Sequence, residues 1–373
     1  MKGVRARAIR ARPRKTLSRL TFPGRGTAPT VLGVCEHVFV RWDGLKVGED
    51  EGKVLPGYRD PATVRTFDAP EAMDIRFYEV RAKSVLNRVP KQSQVPFRWT
   101  INPYRGCSHA CTYCFARPTH TYLDFGAGRD FEREIVVKVN TPEVARAELS
   151  KPRWGREHVA MGTNTDPYQW VEGRYELMPG IWEAMRDTGT PASILTKSPL
   201  LLRDLELMKQ VGERGGISAN LSIPTLEERA WRETEPHTPN PRARLEAVRT
   251  LNDAGIPCGV LIAPIMPGIN DAPGQVEEIL ERAEEAGATD VGGITLHLRG
   301  EVRGLFFDWL RDKRPHLVPK YEALYRRGAY APRERRQRDS RRARGRTERL
   351  MPPDADPGLT PRPRPAPRQE QLF

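Results

Sequence analysis

The run Asn102-Pro-Tyr-Arg-Gly-Cys-Ser-His-Ala-Cys-Thr-Tyr-Cys-Phe-Ala-Arg-Pro-Thr-His120 carries Cys107, Cys111 and Cys114, three of the five cysteines in a chain of 373 residues. A C-x3-C-x2-C triplet this tight is a metal-binding pattern. Thiolates hold iron–sulfur clusters, a four-iron cluster takes four cysteines, and three leave one iron for a ligand that is not protein. Zinc usually takes paired half-sites, and its fourth ligand here would have to be His109 or His120. A disulfide leaves one thiol over, and the chain shows no signal peptide. Cys35 and Cys258 read as spectators; Cys258 sits in the apolar run Pro257-Cys-Gly-Val-Leu-Ile-Ala263, where a small buried thiol is the default.

Outward from this loop, short β-rich runs alternate with helical ones. Strands are expected at Pro96–Ile101, His158–Thr163, Ala192–Thr196, Ile217–Ile223, Gly259–Ala263 and Val291–Leu296. Helices are expected at Pro142–Leu149, Pro179–Asp187, Leu201–Glu213, Pro241–Ala254 and Gly274–Ala286, with proline near several starts and glycine near several ends. Such alternation gives a parallel sheet with right-handed crossovers. Six units suit a partial (β/α)6 TIM-like barrel, an α/β fold, with flexible basic N- and C-terminal extensions; periodicity alone leaves an open doubly wound sheet as the alternative. Barrel chemistry sits at the carboxyl ends of the strands. The cysteine loop, Thr163-Asn-Thr-Asp-Pro-Tyr168, Thr196-Lys-Ser198, Ser222-Ile-Pro-Thr225, Pro264-Ile-Met-Pro-Gly268 and the pair His297 and Arg299 follow the six strands in turn.

The net charge is +13, but residues 1–33 contribute +9 and residues 326–350 contribute +8, so the remainder carries −4. The body is not basic. The ends either neutralise nucleic-acid phosphates or are solvated tails, and residues 1–33 are alternatively upstream of the true translation start. No run is long enough to span a bilayer, so no membrane partner is expected. The expected organisation is a basic extension over 1–40, a lead-in over 41–95 that packs on the barrel, the barrel over 96–325, and an Arg/Pro-rich tail over 326–373.

With these motifs in place, Phe97 to Trp309 resemble the spore-photoproduct-lyase-like branch of the radical S-adenosylmethionine superfamily, often labelled DNA repair photolyase-like, and within it an uncharacterised actinobacterial subfamily. The resemblance rests on the cysteine triplet, Gly162-Thr-Asn-Thr-Asp-Pro-Tyr-Gln169, Leu195-Thr-Lys-Ser198, Arg203-Asp204 and Ala263-Pro-Ile-Met-Pro-Gly-Ile-Asn-Asp271. It implies that Cys107, Cys111 and Cys114 bind a [4Fe–4S] cluster and that S-adenosylmethionine is cleaved reductively to a 5′-deoxyadenosyl radical that takes hydrogen from a substrate. It places Tyr113 beside the adenine, Lys197 and Ser222 on the cofactor, and Thr165 and Asp166 in the loop that faces it. Glu235, His297 and Arg299 are candidates for catalysis or substrate contact, and an external electron donor of flavodoxin or ferredoxin type is implied.

In the lyase a cysteine after the second strand returns a hydrogen atom to the product; the matching position here is Thr163, whose O–H bond is too strong for that role. Thymine-dimer lysis therefore does not carry over. The expected function is a cytoplasmic radical enzyme acting on a nucleic-acid-related substrate, in DNA repair or modification. The alternatives are a peptide or metabolite substrate, or an iron–sulfur protein that binds nucleic acid without turnover. At the C-terminus Gln369-Glu-Gln-Leu-Phe373 resembles the short peptide by which bacterial repair proteins dock on the sliding clamp. Gln369 would meet the pocket rim while Leu372 and Phe373 fill an apolar cleft.

Overall fold

The computed structural model describes residues 54–344 apart from 59, 68, 70, 71, 73 and 94. The strands are β1 (Thr63–Arg65), β2 (Arg76–Val80), β3 (Leu86–Arg88), β4 (Trp99–Ile101), β5 (Tyr104–Arg105), β6 (Glu134–Lys138), β7 (Val159–Met161), β8 (Ala192–Thr196), β9 (Ile217–Ser222), β10 (Cys258–Ile265) and β11 (Val291–Thr295). They form two sheets. The larger has the order β11-β10-β9-β8-β7-β4-β3, with six parallel strands and β3 antiparallel at one edge. This is the six-unit partial barrel that the sequence predicts, and each of the six expected strands overlaps one of these.

The parallel strands are fully buried at alternate positions, while Ser193 and Leu195 of β8 and Leu261 and Ala263 of β10 are half-buried and Ile294 of β11 is exposed. Pairing brings Ile101 opposite Met161, Ile194 opposite Ala219, and Val260 between Leu221 and Val291. Crossover helices run over Thr141–Leu149, Leu177–Thr188, Leu205–Arg214, Pro241–Asp253 and Gln275–Glu285. Local chemistry sets their ends. The Asn240 side chain accepts from the Arg242 amide at 2.8 Å with Pro241 at the first helical position, and Gly189 closes the second crossover helix at φ 61°.

A second sheet, β1-β2-β6-β5, is absent from the sequence-based expectation. Its strand β5 follows β4 directly, so one short chain path leaves the barrel and enters the small sheet just before Cys107. β5 then pairs antiparallel with β6, Tyr104 opposite Val137. The segment from Gly106 to Arg133 therefore leaves and rejoins the molecule on adjacent strands. The lead-in supplies β1, β2 and β3 and is built into both sheets.

The sequence also places the tail from residue 326, and here the structure differs. The helix Arg333–Arg344 packs on β11 beside the helix Gln275–Glu285. Thr295 donates to Asp339 at 2.8 Å, Arg335 bridges Asp339 and Asp271, Arg342 pairs with Glu277 at 2.7 Å, and Ala343 is buried in the barrel core. Gly293 makes the approach possible, because a Cβ there would lie 2.4 Å from that of Ala343. Residues 1–40, the remainder of the tail and its Gln369, Leu372 and Phe373 lie outside the described residues.

Candidate functional site

The cysteine segment is shaped by hydrogen bonds from the protein. Cys107 donates its amide to the Phe131 carbonyl at 2.9 Å, and Ser108 donates to Gln169 Oε1 at 2.9 Å. Gly106 turns the chain at φ 81° with the Phe131 carbonyl 3.0 Å from where a Cβ would sit, a place only glycine fits. Arg117, 4 % exposed, runs beneath the loop: its guanidinium donates to the carbonyls of Cys111 at 3.0 Å, Ala110 at 3.2 Å and Gly128 at 2.8 Å and pairs with Glu132. Three thiols are thus offered by a loop whose Gly106, Cys107, Ala110 and Cys111 carbonyls already accept hydrogen bonds.

Cys107 and Cys111 are buried, Cys114 is half-buried, and all three are free thiols. Burial pushes the Cys107 thiol up to about 12 and raises Cys111 and Cys114 as well. Soft thiol donors on one loop suit a thiolate-bound cluster, whose binding displaces those protons. Among the described residues no three His, Cys, Asp or Glu side chains converge on a single-ion site. The two histidines of the loop sit in different surroundings. His109 Nδ1 lies 3.4 Å from Asp166, and His120 packs against Phe125 and Phe131 at ring distances of 5.1 and 5.6 Å.

Burial lowers the His120 imidazole to about 4, so the folded state takes up its proton later than the unfolded chain does. Its stability contribution is complete above about pH 6.5 and is lost as pH falls toward 4. A His120→Phe variant should escape roughly 3 kcal/mol of that acid sensitivity. Denaturant unfolding at pH 7 and pH 4 checks this, and equal losses in both proteins would contradict it.

Tyr113, Lys197, Ser222 and Glu235 come together at the strand ends. Lys197, just past β8, donates to Ser222 Oγ at 2.5 Å, pairs with Glu235 at 3.0 Å and lies 5.7 Å from the Tyr113 ring centroid. The Tyr113 hydroxyl donates to Glu235. Glu235, fully buried, also receives Arg244 at 2.8 Å, and Arg244 donates further to the Ser222 carbonyl at 2.8 Å and to Thr238 at 2.5 Å. Burial acts to raise the Glu235 carboxyl, yet Arg244, Lys197 and the Tyr113 hydrogen bond hold it down at about 2. Glu235 is therefore a buried carboxylate whose oxygens are taken by Arg244, Lys197 and Tyr113. Burial, then the Glu235 charge, raises Tyr113 well above its usual range and keeps it a donor.

Thr165 and Asp166 are tied into the scaffold. Thr165 donates to the Tyr104 carbonyl at 2.9 Å, while Asp166 accepts from Thr196 Oγ1 at 2.6 Å and from the Lys197 amide at 2.8 Å. Asp166 thus staples the loop after β7 to the loop after β8. Gly162 permits this crowding, since a Cβ there would lie 1.7 Å from the Leu195 carbonyl oxygen. His297 stands apart from the Lys197 group, its ring 6.0 Å from Phe115 and 5.7 Å from Tyr330, and Arg299 is exposed. Burial, with Arg299 adding to it, lowers the His297 imidazole.

Sequence reasoning misses Arg117, Gln169, Thr238 and Arg244. For Arg244 a signal existed: it falls on the buried face of its helix with Pro241, Leu245, Val248 and Leu251. A charge on an apolar face is kept only when paired.

A profile of the radical SAM superfamily matches residues 101–283. An uncharacterised protein of Mycobacterium tuberculosis strain H37Rv is 49% identical over 283 residues, which is 76% of this chain and 83% of that one. An uncharacterised protein of Methanocaldococcus jannaschii is 30% identical over 198 residues, covering 53% of this chain and 70% of the relative. Among solved structures, spore photoproduct lyase complexed with dinucleoside spore photoproduct matches with a TM-score of 0.46 at 16% identity, covering 64% of this chain and 66% of that chain. Among the described residues no helix is long and apolar enough to cross a membrane. The matched segment runs from the last residue of β4 through the cysteine loop and β7, β8, β9 and β10, and the chain belongs to the radical SAM superfamily of enzymes, which use S-adenosylmethionine, an iron–sulfur cluster and an external electron donor.

Proposed function

We propose that Cys107, Cys111 and Cys114 hold one [4Fe–4S] cluster, that S-adenosylmethionine lies between this loop and Lys197 and Ser222, and that the enzyme removes hydrogen from a nucleic-acid-related substrate in the cytoplasm. The observation that carries the reading is the meeting of a buried three-thiol loop with an ammonium and a hydroxyl at the carboxyl ends of the barrel strands. When bound, the cluster and S-adenosylmethionine supply an electron and a 5′-deoxyadenosyl radical.

The chain's part is to bind, orient and keep out water. Lys197 and Ser222 are donors for a carboxylate and for ribose oxygens, and Tyr113 offers a ring as a wall. The Glu235–Arg244 pair holds both Tyr113 and Lys197 in place. Thr165 and Asp166 act through the backbone they fasten, while His297 and Arg299 are left for the substrate side. A nucleic-acid target is supported by the basic ends and by the Gln369, Leu372, Phe373 pattern that would dock the chain on a bacterial sliding clamp. The electron donor is proposed to be a flavodoxin or ferredoxin.

The test measures 5′-deoxyadenosine from anaerobically reconstituted, reduced protein with undamaged DNA, ultraviolet-irradiated DNA, RNA or no nucleic acid. One nucleic acid should raise the rate severalfold over none. No stimulation by any of them would transfer the reading to a peptide or metabolite, and no 5′-deoxyadenosine at all would remove catalysis.

A further inference from the structure

A groove of about 650 Å³ lies between β11 and the helix Arg333–Arg344, lined in part by Ile294, His297, Tyr330, Arg333, Arg336 and Arg341. The two sides of this helix differ in charge state. Arg335, Asp339, Arg342 and Ala343 follow i, i+4, i+7, i+8 and make the docked side, where Arg335 and Arg342 are neutralised by Asp271, Asp339 and Glu277. Arg333, Arg336, Gln337, Ser340 and Arg341 follow i, i+3, i+4, i+7, i+8 and make the groove side. There, among the described residues, Arg333, Arg336 and Arg341 have no carboxylate at ion-pair distance, and all three are exposed.

Aromatic surface accompanies the charge. Tyr330 is 46 % exposed with the Arg336 guanidinium 5.5 Å from its ring centroid, and Phe115, 50 % exposed, is next to Cys114 in the chain. His297 lies between them, in ring contact with both. An aromatic path therefore leads from the cationic groove to the thiol loop.

We propose that this groove binds the sugar–phosphate backbone of a single-stranded nucleic acid and delivers one of its nucleotides past His297 and Phe115 toward the cysteine loop. The inference rests on the nucleic-acid reading above and adds where the strand lies. At 1.5 Å per residue the three guanidiniums spread over about 12 Å, the reach of two or three phosphates. Unpaired cations tracking a backbone beside exposed rings on which bases stack are the parts of a sequence-tolerant single-strand site. A duplex keeps its bases stacked and gives Tyr330 and Phe115 nothing to hold, and an acidic peptide has no bases to stack.

The experiment measures binding of fluorescent oligodeoxyuridylate and oligouridylate, which differ only in the sugar, by the full iron-loaded chain across a salt series. Wild type should bind at least one of them, and the tighter of the two names the sugar. Arg333→Ala/Arg336→Ala/Arg341→Ala should weaken binding roughly tenfold or more and flatten the salt slope by about 2, as loss of three phosphate contacts requires. The matching triple lysine variant should keep the slope, which separates lost charge from a damaged fold. An unchanged affinity and slope in the alanine variant would overturn the groove while leaving stimulation of turnover by nucleic acid standing. Three other results overturn it too: no binding by wild type, competition by polyglutamate as strong as by the unlabelled oligonucleotide, or an equal loss in Arg5→Ala/Arg7→Ala/Arg10→Ala, which removes the same charge from the N-terminal extension.

Discussion

Cys111→Ala yields a folded protein that lacks the visible absorption of an iron–sulfur cluster and forms 5′-deoxyadenosine at background level, and Cys107→Ala and Cys114→Ala do the same. On the proposed assignment of three thiols to a four-iron cluster there is no spare protein ligand, so each loss would strand an iron. Removing an outer partner of a metal ligand costs about ten- to a hundredfold, and removing a ligand costs more. Cys258→Ala is the internal control. Its thiol is fully buried in β10 with Sγ 3.7 Å from the Gly259 carbonyl, away from the loop, and the variant keeps both cluster and turnover. Cys35→Ala keeps them also. A cluster that survives loss of Cys111 would sink the ligand assignment.

The second large effect is on stability. Glu235→Gln leaves the fully buried Arg244 and the nearly buried Lys197 without their shared counter-charge. Breaking a buried pair from one side costs about 3–5 kcal/mol, most of it the penalty of the charge left behind. Urea unfolding at neutral pH should show a loss of that size, and Glu235→Gln/Arg244→Met should recover part of it. Acid makes the same point. A carboxyl held near 2 in the fold and at its usual 4.5 in the unfolded chain stabilises the protein fully above about pH 4.5, and that contribution is lost as pH falls through 2. Glu235→Gln should flatten the stability curve in that window. A loss below about 1 kcal/mol, within what an exposed pair is worth, would mean that water reaches this carboxylate.

The six barrel strands were legible because the buried positions of parallel strands are written in apolar, often β-branched residues, as Ile194, Leu221, Val260 and Ile262 are. The motifs after them were legible because polar residues cluster where such strands end. The small sheet was not, since β1 has three residues and β5 two, too few for alternation to show. The helix Arg333–Arg344 was hidden differently. Its twelve residues include one apolar side chain, Ala343, and its attachments are ion pairs to Asp271 and Glu277, more than 60 positions away in the chain. Glu235 was named from sequence as a residue for the substrate, and only packing shows it enclosed by Arg244. That distinction depends on two side chains nine positions apart, which no local pattern encodes.

Arg117 bears on how the enzyme acquires iron. Because its guanidinium and the Cys107, Ser108 and Gln169 bonds already set the path of the loop, insertion of a cluster resembles docking into a mould more than it resembles folding. Small zinc modules run the other way: without the ion they have no structure to lose. Here the expectation is the opposite: protein stripped of iron should keep its tertiary structure, and a near-ultraviolet circular dichroism spectrum that collapses on iron removal would show that the loop bonds alone do not hold the segment.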